Sequence, residues 1–498
     1  MTGVMAPGNH ENDLQLEIPE VQGFKPARLS ADAALGRSSP VAVADSPTPT
    51  GSRNVMEDLA QGDVRARAAT SAAPRGAMVL TVVGIVLEYY DFSVFGIFTP
   101  FFSHQFFAGA GTLGATLSVL TVFAVGFIFR PLGSVFFGWL ADRSGRKNSM
   151  MIAMAVTAAG SLMIGISPTS SAIGALAVVI LVVARIMQGL GYGGENASAY
   201  SYSAEIAPPK RRGLWMSFNG MALILGTLAA TAVGALLTTV FDSKQLEAWA
   251  WRVPFLLAGC TGLFALYLRR KLTESAAFTE HLKAEAERRK LPEPAVKTSA
   301  SGELWRHRSG MLRVLLMTAG ITVTFYAWVV NGAANAIVSY GVNQQTAFIV
   351  ALVAQVLYVV TTPLWGRFSD RFGRRANFLV YGIFNAVFAF PVLWIMGNQW
   401  WQMLIAMSIP LVLLSAATAA NTAFYAELFP TGLRSRGIAI PYGIGIAVFG
   451  GTSPLIDTWL HSIGLSAVFT AYAIVMSLGA AAAAWWSPET AGKSLADG

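Results

Sequence analysis

Acidic and basic side chains lie deep inside the apolar stretches of this chain of 498 residues. Glu88 and Asp91 are near the middle of the first stretch, and their spacing puts both on one face of a helix. A charge at the centre of a bilayer costs at least about 2.5 kcal/mol, so each buried charge suggests a chemical role. Because a dry environment favours the neutral acid, both carboxylates are candidates for binding and releasing protons.

Arg185 occupies a similar depth in the fourth apolar stretch. We expect it to pair with Asp91 or Glu88, so that protonation of the acid releases the pair and favours a second conformation. Either acid could be the one that titrates. The alternative is a permanent ion pair that only fixes the register of two helices.

A second group of candidates could bind a small molecule. Arg130 lies eight residues before a basic connector, which is too deep for an ordinary surface anchor. Its guanidinium could hold an anionic group bidentately, or it could snorkel to the surface or pair with Glu195. Glu195 is nearer to that surface, which favours a role in gating. The neutral candidates, each of which could instead be an interhelical contact, are Tyr90, Gln188, Tyr326 and Asn331.

These residues belong to a chain built from two similar halves. The signature GWLADRSGRK at 138–147 returns as GRFSDRFGRR at 366–375. A second landmark, EIAPPKRRG at 205–213, returns as ELFPTGLRSRG at 427–437. Two landmarks in the same order, each following long apolar runs, indicate a duplicated membrane unit.

The composition is that of a membrane protein. Hydrophobic residues make up 54% of the chain and charged residues 12%, whereas soluble proteins contain about 25% charged residues. We therefore predict a polytopic helical protein whose apolar stretches cross a hydrocarbon core of about 30 Å. The twelve predicted spans are 77–102, 115–137, 149–167, 172–200, 213–240, 251–269, 311–332, 346–365, 376–396, 401–425, 436–456 and 464–486.

Lysine and arginine concentrate in alternate connectors, for example at 143–147, 210–212 and 367–375. This positive-inside pattern places both termini in the cytoplasm and accounts for the net charge of +8 without a nucleic-acid partner. The predicted segments are a disordered cytoplasmic tail (1–75), a six-helix bundle (76–269), a cytoplasmic linker (270–310), a second six-helix bundle (311–486) and a cytoplasmic tail (487–498).

The sequence carries no recognisable signature of an enzyme or a cofactor site. No phosphate-binding GxxxxGK[ST] loop is present, which argues against ATP as the energy source. The five histidines lack metal-ligand spacing, and Cys260 is the only cysteine. We therefore predict no enzymatic activity, no cofactor and no bound metal.

The duplicated signature resembles the hallmark loop of the major facilitator superfamily, and RIMQGLG at 185–191 is similar to that superfamily's second motif. Three shorter stretches resemble its metabolite:proton symporter branch, which includes carriers of citrate, 2-oxoglutarate, shikimate and proline or betaine. They are EYYDF at 88–92, RPLG at 130–133 and GGE at 193–195. The resemblance implies an all-α membrane protein with twelve transmembrane helices in two pseudo-symmetric six-helix bundles. We also expect a monomer in the lipid bilayer.

In that superfamily, charged residues of these motifs tie neighbouring helix ends together and lock the outward-open state. We call the matching network in this chain the latch. Its expected members are Asp142, Arg143, Arg146, Glu205 and Arg212 in the first half, with Asp370, Arg371, Arg374, Glu427 and Arg434 or Arg436 in the second.

The resemblance implies a proton-coupled symporter that imports a small organic acid across the cell inner membrane by alternating access. The alternatives are uptake of a zwitterionic osmolyte such as proline or betaine, export of organic compounds, and a sensor that binds a ligand without transporting it. The stretches NAS at 196–198 and VNGAAN at 330–335 depart from the branch near the expected pocket. The substrate of a named member is therefore not carried over.

Overall fold

The computed structural model describes residues 82–144, 146–193, 203–204, 207–271, 306–430 and 433–492. The predicted tail 1–75 and most of the predicted linker 270–310 lie outside these residues, as do Glu195 and Glu205. The side chains of Asp142 and Arg146 lie outside the described part as well. Within it the secondary structure is helical and contains no strand.

The described part of the chain contains fifteen helices of eight or more residues: α1 Val82–Ile97, α2 Thr99–Phe106, α3 Gly111–Ser144, α4 Arg146–Ile166, α5 Leu176–Tyr192, α6 Arg212–Val240, α7 Arg252–Lys271, α8 Arg308–Thr324, α9 Gly332–Tyr340, α10 Gln344–Phe372, α11 Arg374–Ile395, α12 Trp400–Glu427, α13 Arg434–Gly445, α14 Gly451–Ser462 and α15 Ser466–Trp485. One-turn helices at Ser170–Ile173 and Ser243–Gln245 lie between them. Three π-helical segments occur among the described residues: Leu246–Ala250 precedes α7, Phe325–Val330 connects α8 to α9, and Ile446–Gly450 connects α13 to α14.

Most of the predicted membrane spans correspond to long apolar helices. Nine helices among the described residues are long and apolar enough to span a bilayer. Two further candidate spans are bent, one between α1 and α2 by 61° and one between Ser243–Ala250 and α7 by 42°. The shorter apolar helix α5 lies within the predicted fourth span, and the predicted polytopic helical architecture is confirmed.

The bend in the first span follows from its sequence. Helix α1 ends at Ile97, and α2 begins at Thr99 with Pro100 in its first turn. Proline lacks a backbone N–H and clashes with the preceding turn, so it starts a helix more readily than it continues one. The predicted straight span 77–102 is therefore two helices.

The repeated signature forms helix ends, and its interpretation as a loop was wrong. In the second half the segment 366–372 is the last part of α10, Gly373 alone makes the turn, and α11 begins at Arg374. Gly373 has a φ of 96°, a conformation that favours glycine. In the first half α3 likewise continues to Ser144, and α4 begins at Arg146. The charged residues of the signature thus belong to the ends of helices.

Helices from the two halves of the sequence pack directly on each other. Helix α6 runs along α10 and α12, and α3 packs against α14. We call the helix ends that carry the repeated signature the basic end, and the other helix ends the opposite end. At the opposite end the ring of Phe348 packs 5.9 Å from Phe98 and 5.8 Å from Phe101. The two halves therefore touch at this end as well as at the basic end described below.

Candidate functional site

Asp91 lies at a junction of three helices of the first half. Its side chain on α1 is 6% exposed. One carboxylate oxygen accepts a hydrogen bond from the Ser161 hydroxyl of α4, and the other accepts one from the Tyr192 hydroxyl of α5. Both oxygens of the acid are thus held by hydroxyl donors that tie α1 to α4 and α5.

Arg185, for which an ion pair with Asp91 or Glu88 was expected, reaches Asp91 through other side chains in the described structure, without a direct ion pair between the two. Its Nη1 donates to Gln188 Oε1 at 2.8 Å, and Gln188 Nε2 donates to Ser161 Oγ at 2.7 Å. Ser161 in turn donates to Asp91. The physical reason is spacing: the two neutral side chains occupy the space between the guanidinium and the carboxylate.

The guanidinium of Arg185 is enclosed by aromatic rings. Its Cζ lies 4.3 Å from the ring centroid of Phe95, 5.0 Å from that of Phe123 and 5.2 Å from that of Phe92. The side chain is fully buried, and Nε has no hydrogen-bond partner among the described residues. Such aromatic faces stabilise a cation partially but supply no charge to balance it.

Close helix packing places Arg185 there. A Cβ at Gly189 would collide with the backbone carbonyl of Gly126, so α5 can approach α3 this closely only with glycine. The carbonyl of Phe123 consequently comes within 3.4 Å of Arg185 Nη2 and accepts a hydrogen bond.

Arg130 of α3 contacts an aromatic ring, that of Phe92, which Arg185 also contacts. Its Cζ lies 4.1 Å from the Phe92 centroid, 4.8 Å from that of Phe127 and 5.2 Å from that of Tyr192. The side chain is 7% exposed, and its Nε also lacks a partner among the described residues. Arg130 is therefore buried among aromatic rings and is not extended along the protein surface. The alternative partner Glu195 lies outside the described residues.

Glu88 and Tyr90, the other candidates on α1, have different surroundings. Glu88 is half-buried and interacts electrostatically with Tyr192 and Tyr326. Tyr90 is buried, and its hydroxyl donates to the carbonyl of Pro254 on α7 at 3.3 Å. The structure thus brings Glu88 to the centre and turns Tyr90 towards a neighbouring helix.

Tyr326 joins the two halves at the centre of the protein. Its ring packs 5.2 Å from Phe127 and 6.2 Å from Phe92, both of the first half. Tyr326 lies in the π-helical segment 325–330, and Gly450 of the π-helical segment 446–450 leaves room for its ring. Such π-helical turns occur frequently at functional sites.

A small central cavity lies beside Tyr326. Its volume is about 30 Å³, and its lining includes Tyr89, Thr318, Asn421, Tyr425 and Tyr442. This space holds one or two water molecules, which is too little for an organic substrate. In the described conformation this cavity is therefore too small to hold the substrate.

Asn331 lies away from this central cavity. It is 2% exposed, and its Nδ2 donates to Thr458 Oγ1 of α14 at 3.5 Å. A neighbouring carboxylate, Asp457, accepts a hydrogen bond from Asn335 Nδ2 at 3.1 Å. The sequence analysis did not single out Asp457, because the predicted eleventh span ended one residue before it. Extending that span by one turn would have shown an acid inside the membrane.

At the basic end, Glu427 connects the two halves. Arg374 donates to it through Nε at 3.2 Å and through Nη2 at 3.3 Å. Arg212, from the first half, donates to the same carboxylate through Nη1 at 2.9 Å. The side chain of Glu427 is 2% exposed and that of Arg374 is fully buried. The structure therefore brings these three predicted latch residues together.

Asp370 links the halves in a second way. Its carboxylate accepts hydrogen bonds from the backbone N–H groups of Gly213 at 2.6 Å and Leu214 at 2.9 Å, in the first turn of α6. It also accepts from Arg374 Nη1 at 2.9 Å. An acid of the second half thus binds the positive end of the dipole of a first-half helix.

Three further latch candidates make other contacts among the described residues. Arg143 and Arg371 are exposed and stack on Trp139 and Phe372 of their own helices, at 4.6 Å and 5.2 Å. Arg434 is buried, and its Nε donates to the carbonyl of Ala426 at 2.9 Å.

Sequence reasoning missed two residues that complete the latch. Glu489 accepts hydrogen bonds from the backbone N–H groups of Arg374 at 2.9 Å and Arg375 at 3.2 Å. Thr490 Oγ1 donates to Glu427 Oε2 at 2.6 Å. Both residues fall in the predicted tail 487–498, where no local pattern marks a tertiary contact. The polar Glu489–Thr490 pair directly after the last span was the only available signal.

Comparison with known proteins places this geometry in a family context. Residues 77–497 match the model of the sugar (and other) transporter family. The alpha-ketoglutarate permease of Escherichia coli (strain K12) is 32% identical over 81% of this chain and 91% of its own length. The ectoine/proline transporter ProP of Corynebacterium glutamicum is 31% identical over 84% and 85%. The citrate-proton symporter of Klebsiella pneumoniae is 28% identical over 81% and 89%.

Solved structures show the same fold. The major facilitator proton:xylose symporter XylE, bound to 6-bromo-6-deoxy-D-glucose, superposes with a TM-score of 0.66 at 20% identity, covering 86% of this chain and 98% of that one. An inward-open conformation of XylE from E. coli gives a TM-score of 0.63 over 85% and 98%. The two-bundle transporter fold expected from the sequence is thus confirmed.

Proposed function

Because this chain belongs to the sugar (and other) transporter family, within the metabolite:proton symporter branch of the major facilitator superfamily, we propose that it imports a small organic acid together with protons. Import would cross the cell inner membrane by alternating access, with the basic end and both termini in the cytoplasm. Relatives named for alpha-ketoglutarate and for citrate and protons support this substrate class.

One observation carries the choice of an anion. Arg130 and Arg185 are both buried, both flank Phe92, and each has an Nε without a partner among the described residues. Neither forms an ion pair with Asp91, whose oxygens are already occupied by two hydroxyl donors. A buried cation without a paired anion is costly. A carboxylate substrate would supply a negative charge that the described residues do not pair with either guanidinium, and it would fit the planar donors of arginine.

Proton coupling follows from the position of Asp91. In the ionised form, one oxygen of Asp91 accepts from Ser161 and the other accepts from Tyr192. When the carboxylate binds a proton, one of these two oxygens becomes a donor, and the hydroxyl that donates to it must turn or move away. In this proposal the contact with Ser161 is the one that changes, and the relay from Ser161 through Gln188 to Arg185 changes with it. Proton binding would thereby free Arg185 to bind the substrate.

Tyr326 would transmit this change to the second half, since its ring packs on the same Phe92 and Phe127 that flank the arginines. The latch would then open at Glu427 and Asp370, where the halves meet at the basic end. Glu88 remains the second candidate for the coupled proton because it interacts electrostatically with Tyr192 and Tyr326.

A zwitterionic osmolyte is the second candidate substrate. A relative named for ectoine and proline matches at 31% identity. The same centre offers carboxylates on α1 beside two guanidinium groups, so it could bind both ends of a zwitterion. This substrate would leave Asp91 or Glu88 ionised while bound.

The experiment is uptake into proteoliposomes under an imposed inward proton gradient, with labelled alpha-ketoglutarate, citrate, proline and betaine. We expect accumulation of a carboxylate, and its loss in Asp91→Asn and Arg130→Ala. Lys244→Ala removes an exposed positive charge outside the site and serves as the matched control. Equilibration that ignores the gradient in every variant would refute proton coupling, and accumulation of proline or betaine alone would favour the osmolyte.

A further inference from the structure

A second cavity lies within the helices of the second half, towards the opposite end. Its volume is about 70 Å³, and its lining is mainly apolar, with Val323, Phe388 and Phe469 among the residues. It is separate from the central cavity beside Tyr326, because the two linings share no residue. A space of this size holds several water molecules.

Asp457 lines this cavity and is half-buried on α14. Its Oδ2 accepts a hydrogen bond from Asn335 Nδ2 at 3.1 Å. The Ser339 hydroxyl donates to Asn335 Oδ1 at 2.5 Å, so the amide group of Asn335 is oriented with its N–H towards the acid. Residues of α9 therefore hold Asp457 in a fixed position facing the cavity.

No lysine or arginine among the described residues lines this cavity. The titratable groups facing Asp457 are Tyr340 from α9 and His461 from α14. Helix α11 contributes the amide of Asn385, and α12 contributes only apolar side chains and Pro410. Helix α15 contributes Ser466 and Thr470 beside its apolar residues, and its Tyr472 packs in an adjacent apolar cluster. Among the described residues that line the cavity, the negative charge of Asp457 thus has no arginine or lysine to balance it.

His461 and Tyr340 stand at the outer rim of the same cavity. Their rings lie 4.7 Å apart, and His461 Nδ1 shares a hydrogen bond of 2.8 Å with Ser466 Oγ. Both side chains are half-buried, so they connect the cavity with the surface at the opposite end.

We propose that Asp457 is a second proton-binding site, which exchanges its proton with the external solution through water in this cavity and past His461. The proton adds to a carboxylate oxygen, and the resulting neutral acid keeps its other oxygen as the acceptor for Asn335. Binding a proton removes an unbalanced charge from an apolar cavity, which is the favourable direction for a buried carboxylate. The proposal extends the proposed function, because it adds a proton site in the half that does not contain Asp91.

The first test uses infrared spectroscopy on the full-length protein in lipid and requires no substrate. The absorption of protonated carboxyl groups is followed between acidic and alkaline pH in the unaltered protein, in Asp457→Asn and in Thr470→Val. The asparagine variant keeps an acceptor for Asn335, and the valine variant alters the same cavity without removing an acid. We expect a titrating carboxyl band that disappears only in Asp457→Asn. The same band in all three proteins would overturn the proposal.

The second test measures the limiting accumulation of labelled alpha-ketoglutarate or citrate at a fixed pH gradient, with counterflow at equal pH as the control. Each coupled proton multiplies the limiting ratio of internal to external substrate by about ten for every pH unit of the gradient. We expect Asp457→Asn to lose about that factor while counterflow continues. Unchanged accumulation in this variant, or its dependence on a sodium gradient, would overturn the proposal. Gradient-driven uptake that survives in Asp91→Asn would instead overturn the coupling assigned to Asp91 under the proposed function, whatever Asp457 does.

Discussion

The substitution Glu427→Gln tests the latch that closes the basic end. Glu427 is 2% exposed and accepts from Arg374 of its own half and from Arg212 of the other half. Only the contact between halves distinguishes the closed state from the open state, since the contact with Arg374 can persist in both. A buried, charge-assisted hydrogen bond contributes about 2 kcal/mol. Its loss should favour the open basic end about thirtyfold.

The assay is a distance measurement between two spin labels at the basic end. Lys210 and Phe372 are exposed positions from the two halves, and Cys260 is the only native cysteine to be replaced. We expect a new population at longer distance in Glu427→Gln. The matched control is Glu247→Gln, an exposed acid at the opposite end, which should leave the distances unchanged. Identical distance distributions in Glu427→Gln and the unaltered protein would refute the latch.

Three further predictions concern packing, the latch and the anion site. Gly189→Ala should lower the melting temperature, because the added Cβ meets the carbonyl of Gly126 and such overpacking costs about 1–3 kcal/mol. The control variant Gly479→Ala should leave the melting temperature unchanged, because open space surrounds Gly479. Glu489→Ala should increase labelling of a cysteine placed at Ser217, which is buried against Gly366 of the other half, because α11 loses its N-terminal partner; unchanged labelling would contradict this. Arg130→Lys should raise the KM for the transported acid at least about tenfold, because lysine lacks the planar fork; an unchanged KM would remove Arg130 from the site.

The architecture was largely predictable because each span is a local property of the sequence. Apolar length gives the crossings, and the repeated signature gives the two halves. The breaks were not predictable in the same way. The bend before Thr99 depends on Pro100, whereas the π-helical segments at 325–330 and 446–450 depend on how α8 and α13 meet their neighbours.

The site was predictable as a set of residue types and only partly as a geometry. Burial of a charge inside a span singles out Asp91, Arg130 and Arg185. The sequence does not encode which partner each one meets, because that depends on helix rotation and packing. The relay through Ser161 and Gln188 therefore replaced the expected ion pair.

The candidate functional residues Glu489 and Asp457 were not predicted from the sequence, for two different reasons. Glu489 is recruited from the chain end by a tertiary contact with the first turn of α11. Asp457 lay just beyond a predicted span boundary, and one further turn of α14 places it beside the cavity.

The most direct test of proton-coupled acid uptake is to measure proton and substrate entry together. The proteoliposomes start without a pH gradient, and the labelled acid is added outside. A pH-sensitive dye trapped inside reports protons, and labelled alpha-ketoglutarate or citrate reports the acid. We predict internal acidification that begins with acid entry in the unaltered protein and is lost in Asp91→Asn. Acid entry without acidification in the unaltered protein would contradict the account.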